Sequence, residues 1–191
     1  MTERQSALHR CHLEAHGQLK NFFGWQLPAW YTEPQAELED VRASVGISDA
    51  SYLTKLDVRG PFPVSLPARL WKLTPARTLI TSPLPIDFVP TSSITDVTSI
   101  YSAILLAGPK SREVLHKLTT LNVSDDAMPE GSARQTRLAH VNATILRADG
   151  FLILNTRDVA EHVWDALQHA GARPFGMAAQ QQWMGFTHED A

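Results

Sequence analysis

The sequence predicts an α+β fold, and three observations carry that reading. A helical pattern over residues 33–46 runs into a half-exposed alternating strand that closes at Gly60. From residue 100 the order is strand, helix, strand, strand, helix, close to half of a ferredoxin-like unit. Between them, residues 61–100 hold seven of the 12 prolines, which forbids long regular elements there. The chain divides accordingly into residues 1–100, including the proline-rich segment, and residues 101–191. At 191 residues it can bury one good core or two small units that share one. With 43% hydrophobic and 19% charged residues it reads as an ordinary globular protein.

Along the chain, residues 1–20 are polar and carry His9, His12 and His16 at spacings that would share a helix face. No acidic cluster or HExxH pattern accompanies them, so a solvated arm is expected and no metal is assigned. Residues 22–31 concentrate aromatics, including Phe23, Trp25, Trp30 and Tyr31, and Gly24 and Pro28 punctuate the stretch. An ordered loop that packs or meets a partner is expected there.

Pro34 suits the first turn of a helix whose Leu38, Val41 and Val45 share a face, with Gly46 as a left-handed stop. Tyr52, Thr54, Leu56 and Val58 then alternate with Leu53, Lys55, Asp57 and Arg59 as a strand. Within 61–100 a short helix near Leu66–Leu73 is the most the prolines allow.

Tyr101 to Ala107 is a short apolar run, read as a buried strand. Gly108-Pro109 opens a helix to about Leu118, and this turn packs strand on helix rather than cradling an anion. Residues 137–147 read as a strand, Asp149-Gly150 as a hairpin turn and Phe151–Leu154 as the return. Asp158 with Glu161 forms a capping box for a helix to His169, which Gly171 ends.

Net charge is -3, so there is no basic excess to neutralise phosphates, and nucleic acid is not an expected partner. No run of about 18 apolar residues and no apolar leader occurs, so no membrane is expected and a cytoplasmic location is the simplest reading. One cysteine, Cys11, rules out an internal disulfide framework. There is no GxGxxG after a strand, no Walker loop and no GxSxG elbow. Asp49 and Ser51, between helix stop and strand, are the candidate catalytic residues. An acid there could orient an amine or a pterin ring from the mouth of a cleft. Otherwise Asp49 caps a backbone turn, or pairs with Arg42 or Arg59.

Phe23-Gly24-Trp25-Gln26-Leu27-Pro28 with Tyr31, then Val41-Arg42-x-x-x-Gly46-x-x-Asp49-x-Ser51 and Asp57-Val58-Arg59-Gly60, resemble the N-terminal part of the glycine-cleavage T-protein (aminomethyltransferase) superfamily. Gly108-Pro109 and Gly171–Met177 fit it too. The stretches 106–115, 128–132, 135–139 and 150–154 are similar to the small γ subunit of heterotetrameric sarcosine oxidase, whose length the chain also suits. The sequence departs from T-proteins where their folate-handling acids belong: a lone Asp87 stands among prolines, and Arg147–Phe151 lacks the family's glutamate.

The resemblance implies a compact T-protein-like fold with a ferredoxin-like C-terminal half. It implies a small auxiliary, γ-like subunit of a folate-linked N-demethylating flavoprotein complex, with FAD, FMN and NAD on larger partner subunits. Phe23, Trp25, Trp30, Tyr31, Arg42 and Arg59 are then the expected ligand-binding or interface residues. The alternatives are a stand-alone tetrahydrofolate-dependent one-carbon transferase and a T-protein-derived binding scaffold without catalysis.

Overall fold

A computed structural model describes residues 3–60, 68–86 and 93–185. Its elements in chain order are β1 (Arg4–Gln5), α1 (His9–Glu14), β2 (Gln18–Phe22), β3 (Trp25–Trp30), α2 (Pro34–Ala43), β4 (Gly46–Asp49) and β5 (Thr54–Arg59). Then follow β6 (Arg69–Thr74), β7 (Arg77–Ser82), β8 (Ile94–Asp96), β9 (Tyr101–Ala107), α3 (Ser111–Leu118), β10 (Ala133–Leu138), β11 (Val141–Ala148) and β12 (Gly150–Thr156). The last are α4 (Ala160–His169), β13 (Arg173–Pro174) and α5 (Met177–Met184).

Six strands form the central sheet in the order β10-β11-β12-β9-β4-β13. The path β9, α3, β11, β12, α4, β13 is ferredoxin-like, with β4 inserted between β9 and β13 and β10 added outside β11. Strand alternation gives the sheet two buried faces. Ile47, Ile104, Ile145 and Ile153 point toward α3, α4 and the N-terminal α1, meeting Val114, Val163, Trp164 and Cys11. Leu105, Leu146, Leu152 and Leu154 point the other way, into a core with Trp25, Leu38, Trp71 and Phe175. A second sheet, β6-β7-β5-β8, buries Leu56, Val58 and Ile80 as a smaller cluster. Among the described residues no helix is long and apolar enough to cross a membrane.

The structure changes several expectations. Residues 22–31 are half of a β-hairpin, with β3 in the centre of the sheet β1-β3-β2. Phe23 (φ 54°) and Gly24 (φ 79°) make the left-handed turn, and the Gly24 N–H donates to Asn21 Oδ1 at 3.1 Å. Pro28 is tolerated because β1 pairs only Trp25 and Gln26, which leaves one side of β3 without a ladder beside Pro28. The expected helix near Leu66–Leu73 is strand β6 from Arg69 onward, paired with β7; residues 61–67 lie outside the described residues. The predicted single strand 137–147 is two strands joined at Ala139 and His140, both left-handed at φ 47° and 70°.

Gly46 is no helix stop. A Cβ there would lie 2.5 Å from Val41 and 2.6 Å from Phe175, so the position needs glycine for close packing rather than for its backbone angles. The Asp158/Glu161 capping box is absent too: α4 has no side-chain cap, and Glu161 accepts instead from Arg10 Nε of α1 at 3.1 Å.

Candidate functional site

β4 ends on Asp49, whose side chain faces the helical side of the sheet beneath α1. His12, on α1, is 0% exposed and Asp49 1%, so the pair is sealed from solvent. His12 Nε2 lies 2.9 Å from Asp49 Oδ2, and Tyr31 Oη lies 2.8 Å from His12 Nδ1. A proton on Nε2 satisfies both contacts: the imidazole donates to Asp49 and accepts from the Tyr31 hydroxyl. Asp49 Oδ1 accepts from the Ser51 N–H at 2.8 Å, closing the turn out of β4. Burial pushes the Asp49 carboxyl up, but hydrogen bonds from His12, Ser6 and Ser51 outweigh it and hold the group below the usual carboxylate range. Burial, then the charges of Asp49 and Glu37, raise the Tyr31 hydroxyl well above its ordinary value.

This hydroxyl–imidazole–carboxylate order resembles a hydrolase relay, yet every polar end is engaged within the fold and the His12–Asp49 pair is closed to solvent. Its chemistry is to clamp α1, β3 and β4 together. A second buried carboxylate, Glu37 of α2, does similar work: it accepts the N–H groups of Tyr31 (2.6 Å), Thr32 (2.7 Å) and Gly176 (2.8 Å). Lys55, also 0% exposed, donates from Nζ to the carbonyls of Ser51 (3.0 Å) and Leu53 (2.7 Å). Burial brings its amine down to about 8, against the opposing pull of Asp49 and Asp96.

The structure thus brings Asp49, Ser51 and Tyr31 together around His12, and places Asp49 inside the core rather than at a cleft mouth. The backbone-turn role of Asp49 is the one observed; its partners are His12 and Ser51, not Arg42 or Arg59, which are both exposed. Ser51 is buried, its Oγ accepting from the Ala103 N–H at 3.2 Å. Phe23 stacks on Tyr52 with centroids 4.8 Å apart. Trp25 is buried beneath Arg4, and Trp30 lies under Lys20, whose Nζ is 4.4 Å from the ring. Sequence reasoning missed His12, Glu37 and Lys55. The histidine spacing was the signal for His12, read as solvated when one of the three is buried.

A cavity of about 370 Å³ is lined by Tyr31, Thr32, Glu37 and Asp40. Two more adjoin this region. One of about 280 Å³ lies between the two larger sheets, floored by Ala50, Leu53, Leu105 and Leu152 and walled by Trp71. Its one lining carboxylate among the described residues is Asp149, which is exposed. The Thr81 hydroxyl in its wall is already engaged by Trp71 Nε1 at 2.9 Å. The other, about 590 Å³, opens at the hairpin tip beside Phe23, Trp25 and Tyr52, with Asp96 as its carboxylate. A pterin needs an enclosed acid for its amino edge, and the described walls of the cavity between the sheets supply none, so they do not fit tetrahydrofolate. Asp87 lies outside the described residues. Among the described residues no three His, Cys, Asp or Glu side chains converge to hold a metal.

The family model for the GCVT N-terminal domain matches residues 78–183. The chain belongs to that family. Among curated GCVT relatives, the aminomethyltransferase of Thermotoga maritima is 26% identical over 93% of this chain and 62% of its own length. That of Deinococcus deserti is 24% identical, with the same shares covered. The chain therefore spans less than two thirds of these relatives. Among solved structures, glycine cleavage system aminomethyltransferase T from Bartonella henselae superposes with a TM-score of 0.72 at 16% identity, covering 94% of this chain and 61% of that one. A chain of heterotetrameric sarcosine oxidase from Corynebacterium sp. U-96, in complex with pyrrole 2-carboxylate, gives 0.59 at 15% identity, covering 87% of this chain and 94% of that one. The α+β, T-protein-like GCVT fold expected from the sequence is the fold observed.

Proposed function

We propose that this chain is a small auxiliary subunit of a sarcosine-oxidase-type, folate-linked N-demethylating flavoprotein complex. The observation that carries the reading is the match to 94% of one sarcosine oxidase chain by a fold that reaches 61% of a T-protein chain. The interior agrees with it: Asp49 and Glu37 are consumed in holding elements together, and the cavity between the sheets is walled mainly by hydrocarbon. FAD, FMN and NAD would sit on larger partners, whose contact would include the aromatic hairpin tip and the exposed Leu70 and Met184. Native purification tests it, by the mass of the complex and the absorbance of a co-purifying flavin.

The aminomethyltransferase names of the curated relatives favour one second reading, a small folate-dependent one-carbon transferase with Asp49 and Ser51 at its site. Calorimetric titration of the isolated chain with tetrahydrofolate separates the two. The subunit reading expects no binding heat from the chain alone. A tight 1:1 isotherm that Asp49→Ala weakens while the melting curve stays cooperative would favour the transferase.

A further inference from the structure

Four of the eight histidines line one open groove of about 820 Å³, formed by the last turn of α3, the β10–β11 turn and α4. His116, His140, His162 and His169 share it with Lys117 and Arg137, and among the described residues no carboxylate lines it. In a chain of formal charge -3, counted with neutral histidines, Lys117 and Arg137 give this groove a local charge of opposite sign, Arg137 Nη2 also donating to the His140 carbonyl at 2.5 Å. Part of it is explained within the fold. Lys117 Nζ donates to the Ala170 carbonyl at 2.8 Å, His162 Nε2 to Ala139 O at 2.8 Å, and His169 Nδ1 to Asp165 O at 2.7 Å. Cations at helix C-termini also offset the dipole. His116 shares the α3 C-terminus with Lys117, but both it and His140 are exposed, and neither side chain hydrogen-bonds within the described residues.

We propose that this groove docks an acidic polypeptide segment of a partner. The floor is apolar, with Leu118, Ala166 and Ala170, and the cationic groups are spread along it. No three of the imidazoles converge on a point, among the described residues, as one metal ion would require. Such a distribution matches carboxylates spaced along a chain, whose partner charges set on-rate and register. Imidazole gains charge between pH 8 and pH 5, so docking tightens on acidification. The other charged groups on the surrounding elements are Arg112, Glu113, Arg134, Arg147, Glu161 and Asp165; Arg10 engages Glu161, and none of the six lines the groove.

The probe is a fluorescein-labelled hexaglutamate peptide, titrated with the full chain by anisotropy. Wild type should bind it about tenfold more tightly near pH 6 than near pH 8, and high salt should weaken it. A His116→Gln/His140→Gln variant, which removes no internal hydrogen bond, should lose most of that pH dependence at an unchanged melting temperature. Equal wild-type affinity at the two pH values overturns the proposal. So does a folded double variant that binds as wild type does, or competition by inorganic phosphate at the concentration at which the peptide itself competes, which would mark a small-anion site.

Discussion

At the scale of single residues, burial decides which polar groups are structural. Asp49 was legible as a singular acid between two elements, but its environment was not. Side-chain parity sends it to the face that α1 covers, and its α1 partner His12 comes from 37 residues earlier in a segment read as a solvated arm. Lys55 shows the same limit. Alternation put it on the exposed side of its strand, whereas the carbonyls of Ser51 and Leu53 fold over its ammonium. This burial has a sign that can be measured. The Lys55 amine falls from an ordinary 10.5 to about 8, so between those values the unfolded chain holds more protons than the folded one. Stability from this group therefore rises with pH across that window, and charging it costs most below about 8. Cys11, raised by burial to about 11, and Tyr52, raised by burial and Asp49, act with the opposite sign at high pH. The readout must therefore be a difference between proteins. The unfolding free energy of wild type minus that of Lys55→Met should grow by on the order of 3 kcal/mol from about pH 8 to about pH 10.5. A flat difference in urea melts would contradict the assignment.

At the scale of elements, helices, buried strands and the hairpin at Asp149-Gly150 were legible, and the hairpins β2–β3, β6–β7 and β10–β11 were not. α2 and α3 follow their apolar periods because one face of each meets a core, and β9 and β12 are continuous apolar runs because both faces do. β3 and β6 were hidden by neighbouring prolines, which look like breakers until the sheet is known. Pro28 stands where β3 lacks a ladder on one side, and Pro75 stands in the turn between β6 and β7. The β10–β11 turn gave little signal, since Ala139 does not favour left-handed backbone and no glycine, asparagine or aspartate stands at the turn. Gly46 carries an element-scale prediction. Its Cβ would overlap Val41 on α2 and Phe175 beyond β13, both in the packed interior. Gly46→Ala should destabilise by about 1–3 kcal/mol, seen as a lowered melting temperature. An unchanged melt would mean that the contact between α2 and the central sheet is loose.

At the scale of the whole molecule, the sheet is assembled from both ends of the chain, since β4 lies between β9 and β13 while α1 covers a core built largely of later residues. The fold was readable from the sequence because its motifs mark places where backbone geometry is tightly constrained. The site was not, because the acids that remain are spent on internal bonds and the groups that would define chemistry are proposed to belong to a neighbour. The account rests on that proposed neighbour. The measurement that tests it most directly is native mass spectrometry, with a flavin absorbance spectrum, of the chain purified from its own cells. The account predicts a hetero-oligomer in which this chain co-elutes with a larger yellow subunit. A colourless, lone protomer fully active in one-carbon transfer would contradict it.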